Sequence, residues 1–524
     1  MLRSFRGDSY RLAPPGLIDG CFHHSHSGHE TLVGTWEGVR VDRLDATDSA
    51  LWFAEDTSTP RNVGGVAIFR PPEGGFDHER LVRLIRNRIA HVPRYRQRIR
   101  EVPLGLSRPV WVDDATFDVA YHVRRSALPN PGTRDQLDEL VARLMARPLD
   151  RSRPLWEMYL IEGLENGDFA VVTKSHQVLV DGTGAIDIAQ VMLDSHAEVP
   201  DDTPGVWNPR PEPSDPELIG SALSSVLTRP TVAWDVLNTG VRDVGAAAEA
   251  VAVWAKDTSV GLVKSVFSMI RSPIESPLNT RIGAQRRFAR TEVSLEDLQQ
   301  VHGTSVGTVN DVVLTVVTGA LREWLMNRGR VLDASATLRA LVPVSIQSEG
   351  TSRRDTNVAG QVGAFLIDLP VGEADPIVRL HQIAFHMRDL GNTERLVGAR
   401  ALAGIAGFGP PTLHALGARV GTTLSNRAYN VAITNVPGPQ RPLYAAGSEM
   451  ISAYPFSPLV QGQALGIGLT SYQGSMFVGL TADRDALADV SVIIDGLTDA
   501  LSELKEAASK ETGLRIIPGR ADAV

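Results

Sequence analysis

The sequence has a single cysteine, Cys21, in 524 residues. One cysteine excludes an intramolecular disulfide and a thiolate metal cluster, and it fits a reducing cytoplasm. No run of about 18 apolar residues is present, which argues against a membrane-spanning helix. The first twenty residues carry Pro14, Pro15 and several charges instead of the apolar centre of a secretory signal. Long basic tracts are missing too, and the net charge of −9 argues against a nucleic-acid partner. What remains is a globular composition over a length that predicts two domains of similar size. The expected location is cytoplasmic, with peripheral contact at the inner face of a membrane or at lipid inclusions left open.

Residues 1–40 differ from the rest: they hold the cluster His23–His29 and few periodic apolar positions. A metal-binding tract and a flexible extension are the two readings, and nothing here supplies a ligand geometry. From Val41 the pattern is regular. VGGVAIF (63–69) reads as a buried strand. HERLVRLIRNRIAHVP places Leu81, Leu84, Ile85 and Ile89 on one helix face and ends at Pro93. DQLDELVARLMARPLD predicts a second helix, and MYLIEGL with DFAVVTKSH a strand pair that delivers His176 to its end. The first domain is drawn at 41–199. A proline-rich acidic stretch (200–217) and a helical region to about 272 predict a linker and crossover over 200–279. Its apolar stripe at 262–270 suits an interfacial membrane helix or a helix packed on a domain. A second mixed domain follows over 280–510, with a tail at 511–524. Strands and helices are mixed in both halves without strict βαβ alternation, which predicts two α/β (α+β) sandwich domains.

The stretch TKSHQVLVDGTGAID (173–187) draws attention because it has the parts of a catalytic loop at a strand end. A histidine base followed four residues later by aspartate, then glycine, would take a proton from a nucleophile, fix the loop and allow a tight turn. Here the position four before Asp181 is Gln177. Taken alone the pattern is weak.

Its surroundings make it specific. PLDRSRPLWEMYLIEGL lies upstream, NDVVL begins at Asn310, LVPVSI at Leu341 and NVAITNVPGP at Asn430; LDATDSALWFAEDTSTPRNVGGVAIF opens the pattern at Leu44. In this order the motifs resemble the bacterial wax ester synthase/diacylglycerol acyltransferase family over about residues 41–510. The resemblance implies a place in the coenzyme-A-dependent acyltransferase superfamily: two chloramphenicol-acetyltransferase-like sandwich domains joined by a crossover, with a tunnel between them. It implies acyl-CoA as co-substrate, diacylglycerol or a long-chain alcohol as acceptor, and neither cofactor nor metal. The family's motif is two histidines, three variable residues and Asp-Gly, with the second histidine as general base. Carried onto this chain, the first histidine is His176, the base position is Gln177, the aspartate is Asp181 and the glycine is Gly182.

Glutamine cannot take a proton near neutral pH. The resemblance therefore implies a slowed or altered enzyme, or a member that binds acyl-CoA or lipid without turnover. An amine acceptor, which depends less on a base, is a third reading. His176 is a substitute base only if a bulge re-aims it, since neighbours on a strand face opposite ways. Arginine and Gly-Asn, common in the family, are replaced by Gln347 and by Gly360-Gln361. Asn310 lies near the active site by resemblance and at a helix cap by local pattern. Thr434 and Asn435 are expected at a strand end facing the tunnel. Pro154, Leu155 and Trp156 read as a packing anchor. Arg94–Arg100 reads as a solvated helix face or a site for CoA phosphates.

Overall fold

In the computed structural model of the chain, residues 35–36, 39–40, 42–180, 188–198, 207–227, 276–304, 307–346, 361–392 and 429–515 are described. Asp181, Gly182, the His23–His29 cluster, the stripe at 262–270, Gln347 and Gly360 lie outside them.

β1 (Thr35–Trp36) and β2 (Val39–Arg40) pair with each other, β3 (Asp42–Arg43) follows, and β4 (Asn62–Arg70) enters the first large sheet. β5 (Gln97–Arg100) and β6 (Val110–Asp113) join β3 in a small sheet of order β3-β6-β5. β7 (Val123–Ala127), β8 (Trp156–Glu162) and β9 (Phe169–His176) return to the first large sheet. In the second half, β10 (Arg286–Ser294), β11 (Leu338–Ile346), β12 (Gln361–Leu369) and β13 (Val431–Val436) precede β14 (Tyr444–Ala445) and β15 (Ser448–Phe456). β16 (Leu465–Tyr472) and β17 (Ser475–Asp483) come last. The second large sheet has the order β10-β17-β16-β13-β11-β12, and the first has β14-β15-β4-β9-β8-β7.

β14 and β15 thus come from the far half of the chain and complete the first sheet. β15 runs antiparallel to β4 from Glu449 opposite Arg70 to Phe456 opposite Gly64. Two glycines show how tightly it passes. A Cβ on Gly65 of β4 would lie 2.4 Å from the Tyr454 carbonyl oxygen on β15. A Cβ on Gly479 of β17 would lie 2.0 Å from the Pro455 carbonyl oxygen. β15 is hydrogen-bonded into one sheet while its end lies on the other.

Helices cover both sheets. His78–Arg88 is capped by Asp77, and Arg134–Met145 opens with a Thr133/Gln136 capping box. Leu81, Leu84, Ile85, Leu137, Leu140, Val141 and Leu144 are buried, as the helical spacing predicts. Val309–Asn327, Pro376–Asn392 and Val490–Arg515 belong to the second half. Ser294 accepts the Asp297 N–H at 3.2 Å, the cap expected at the helix start. β8 and β9 are buried almost end to end, as suits central strands covered on both faces.

Two expectations change. Arg94–Arg100 is not a helix face: Pro93–Arg96 is a 3-10 turn and Gln97–Arg100 is a strand whose residues alternate inward and outward. Outward Arg98 and Arg100 pair with Glu212, and Arg100 also with Asp215, so these arginines hold the linker. Trp207 lies under the Arg96 guanidinium at 4.0 Å, so the linker is extended over 207–214 but docked.

The halves are also tied by charge. Arg290 of β10 donates to Asp138 on the Arg134–Met145 helix and lies over the ring of Tyr454 on β15 at 4.7 Å. Arg134 donates to the Arg290 carbonyl, and Arg286 to the Ser58 carbonyl. Burial pushes the Asp138 carboxyl up to about 6 despite the opposing pull of Arg290. A buried charge left alone costs more than the pair contributes. Arg290→Met is therefore expected to destabilise the protein by about 3–5 kcal/mol, and adding Asp138→Leu to recover most of that loss. Urea midpoints of the two variants and the wild type check both outcomes.

Candidate active site

β9 ends at His176, and the chain turns at once into the one-turn helix Gln177–Val180. His176 is fully buried. Its backbone N–H donates to the Leu155 carbonyl at 2.9 Å, and the Gln177 N–H donates to the Arg61 carbonyl at 2.8 Å. The Val178 N–H donates to His176 Nδ1 at 3.1 Å. The His176 ring therefore caps the short helix with its own side chain, a task usually performed by a side-chain oxygen. The other ring nitrogen, Nε2, faces Glu55 Oε2 at 3.5 Å, too long for a formed hydrogen bond.

Glu55 lies beyond the end of the Ala46–Ala54 helix, within the opening motif. Arg151, from PLDRSRPLW, donates to Glu55 Oε2 through Nη2 at 2.7 Å and Nε at 3.1 Å. It also donates to the Trp52 carbonyl at 2.8 Å and stacks on the Trp52 ring at 4.0 Å. The Arg61 N–H donates to Glu55 Oε1 at 3.1 Å. Burial alone would raise the Glu55 carboxyl, but His176, Arg151 and the Arg61 amide outweigh it and hold it at about 2. Lys174, two residues before His176, is buried against Glu157 at 3.4 Å, and burial lowers its ammonium.

A second group comes from the other half. Asn310 lies at the start of the Val309–Asn327 helix, beside a Thr308/Asp311 capping box. Asn435 Nδ2 donates to Asn310 Oδ1 at 3.1 Å, and Asn435 Oδ1 is buried without a hydrogen-bond partner among the described residues. Thr434 Oγ1 lies 3.4 Å from the Ile467 carbonyl and 3.5 Å from Ser457 Oγ. The structure thus gathers the candidates into His176 with Gln177, and Asn310 with Asn435; Asp181 and Gly182 are outside the described residues. Asp311, half of the local capping pair, accepts the Thr308 N–H at 2.7 Å. Glu55, Arg61 and Arg151 were not singled out from the sequence. All three stand inside the quoted motifs, Glu55 and Arg61 in the opening one and Arg151 in PLDRSRPLWEMYLIEGL.

A cavity of about 450 Å³ lies elsewhere, lined by residues of the second half such as Asn279, Arg281, Arg328 and Asp485. Among the described residues no group of three or more His, Cys, Asp or Glu side chains could hold a metal ion. Trp156 is the expected anchor: it is fully buried, donates from Nε1 to the Tyr95 carbonyl at 2.8 Å and stacks on His122 at 4.6 Å. His122 Nδ1 in turn donates to the Trp156 carbonyl at 2.7 Å.

The comparisons with known proteins add an identity to this geometry. The fold is similar to the first condensation domain of the calcium-dependent antibiotic synthetase, with a TM-score of 0.52 at 16% identity, covering 90% of this chain and 97% of that one. That likeness defines the fold class, the two-sheet α/β architecture of a condensation domain. The wax ester synthase/diacylglycerol acyltransferase catalytic domain matches residues 44–313, and the C-terminal domain of the same family matches 359–505. A probable diacylglycerol O-acyltransferase of Mycobacterium tuberculosis, tgs2, is 33% identical over 492 residues, covering 89% of this chain and 99% of its own. Another from that organism, tgs3, is 41% identical over 266 residues, covering 50% of this chain and 95% of its own. The wax ester synthase/diacylglycerol acyltransferase of Marinobacter aquaeolei VT8 superposes with a TM-score of 0.63 at 30% identity, covering 89% of this chain and all of that one. The chain belongs to the wax ester synthase/diacylglycerol acyltransferase family of acyltransferase enzymes.

The anchor carries a pH prediction. Burial lowers the His122 imidazole to about 4, so the folded protein keeps it neutral where an unfolded chain binds a proton. The unfolded state gains that proton between about pH 6.5 and 4, so this contribution is lost as pH falls through the window, by up to about 3 kcal/mol. Asp138, raised to about 6, acts in the opposite sense. The difference between wild type and His122→Phe therefore carries the test: denaturation curves should show the variant gaining relative to wild type from pH 6.5 to 4.

Proposed function

We propose that the chain transfers an acyl group from acyl-CoA to the hydroxyl of diacylglycerol or a long-chain alcohol, slowly, because Gln177 stands at the general-base position. The hydroxyl oxygen attacks the thioester carbonyl and the C–S bond breaks. The proton goes to the departing thiolate directly or through solvent. Gln177 can accept a hydrogen bond from the hydroxyl and orient it, but cannot carry its proton. Loss of a general base costs about 10²–10⁴ in rate, which leaves the contribution of substrate orientation.

The observation that carries this reading is the His176–Gln177 turn, held by Leu155, Arg61 and Glu55 in a chain that matches the family over both domains. With Nδ1 of His176 accepting from Val178 and Nε2 directed at Glu55, the ring is poorly suited to replace the base. In this reading Asp181 orders the loop, and Gly182, Asn310, Thr434 and Asn435 contact substrate. The orphan Oδ1 of Asn435 is a suitable acceptor for a substrate hydroxyl. The same Gln177 favours a second reading, a protein that binds acyl-CoA or neutral lipid without turnover. Contact with a membrane or lipid inclusion from the cytoplasmic side belongs to the proposal; among the described residues no helix is long and apolar enough to cross a membrane.

Purified protein incubated with palmitoyl-CoA and diacylglycerol or hexadecanol should release thiol slowly and form ester. Gln177→His should raise kcat by about 10²–10⁴. Binding of acyl-CoA without ester in either protein would establish the binding reading instead.

A further inference from the structure

Glu55 meets the active-site turn from two directions. Its Oε1 accepts the Arg61 N–H at 3.1 Å, and the carbonyl of that same residue accepts the Gln177 N–H at 2.8 Å. Its Oε2 lies 3.5 Å from His176 Nε2, while His176 Nδ1 accepts the Val178 N–H at 3.1 Å. The first two amides of the turn are each one residue removed from a single carboxylate.

The imidazole makes the second route directional. A ring nitrogen that accepts an N–H carries no proton, so capping Val178 puts the proton of neutral His176 on Nε2. A buried carboxylate facing Nε2 favours that tautomer, as a carboxylate acceptor behind a functional histidine does elsewhere. In the reverse tautomer an Nδ1–H would face the Val178 N–H, donor against donor, and the cap would be lost. Arg151 holds the carboxylate in place with two bonds to Oε2 and is itself stacked on Trp52. Glu55 is nearly buried, its side chain 6% exposed, so solvent screens little of this.

We propose that Glu55 is a positioning residue of the active-site turn, acting through His176 and the Arg61 peptide to fix the backbone from which residue 177 projects. Its part in turnover rests on the reading of residue 177 as the base position; its hold on the turn does not. The same arrangement commits His176 to capping.

The test uses the full-length protein and amide hydrogen exchange, read by mass spectrometry with fragmentation that resolves residues 177 and 178. Glu55→Gln should speed exchange at both amides about tenfold, the cost of a lost cap. Glu55→Asp, which keeps the charge on a shorter stem, should fall between, and it carries the comparison if Glu55→Gln does not fold. In a His176→Asn background the cap is a side-chain oxygen with no tautomer to select, so the effect of Glu55→Gln at Val178 should shrink to under about twofold. An equal effect in both backgrounds, or unchanged exchange at 177 and 178 with only a lower melting temperature, overturns the proposal. In Gln177→His protein, adding Glu55→Gln should lower kcat about tenfold at unchanged KM for acyl-CoA, with Glu55→Asp intermediate. If Gln177→His is inactive while the exchange pattern holds, the base reading fails and the hold on the turn stands.

Discussion

The hydrogen bonds between β15 and β4 are the constraint around which both halves are arranged. Through them, residues from the far half of the chain complete the first sheet, and the end of that strand rests on the second. Gly65 and Gly479 make sense against this strand, because a side chain at either would meet the backbone of Tyr454 or Pro455. Arg290 makes sense against it too, lying between Asp138 and the Tyr454 ring that β15 brings in. The halves are therefore interlocked rather than merely adjacent.

Buried charges at the centre of this framework are accompanied. Glu55 has Arg151 and His176, Asp138 has Arg290, and Lys174 has Glu157. Such groups are poor sources of net stability, since desolvation offsets most of their attraction. Their effect is geometric: a buried carboxylate with three donors around it admits few arrangements, and the backbone attached to those donors is held accordingly. The turn that carries Gln177 stands on such a cluster. In the proposed reading an amide occupies the base position, and the support beneath it is in place.

Much of this was legible in the sequence, for identifiable reasons. Apolar periodicity and capping residues announced the helices His78–Arg88, Arg134–Met145 and Val309–Asn327, and the run before His176 announced β9. The motif order gave the family. β15 was missed although Ser448–Phe456 alternates buried and half-buried residues, because alternation says that a strand exists and not which sheet it joins. Arg94–Arg100 suits a helix face or a phosphate site by charge alone, because charge spacing does not tell that Gln97–Arg100 continues as a strand. Glu55 was passed over because its partners, Arg61, Arg151 and His176, are distant in sequence and meet only on folding.

The origin of β15 has a consequence for how the protein comes into being. Most of the chain lies between β4 and the strand that pairs with it, and ribosomes add roughly 5–20 residues per second. On a nascent chain the first sheet therefore presents the open edge of β4 for on the order of tens of seconds before its own last strand is made. During that interval the amides and carbonyls of β4 are a template for any extended segment nearby, including the β15 of a neighbouring copy. A swapped dimer and an aggregate begin from the same exposed edge, so the interlock that unites the finished halves is also the feature most exposed during synthesis.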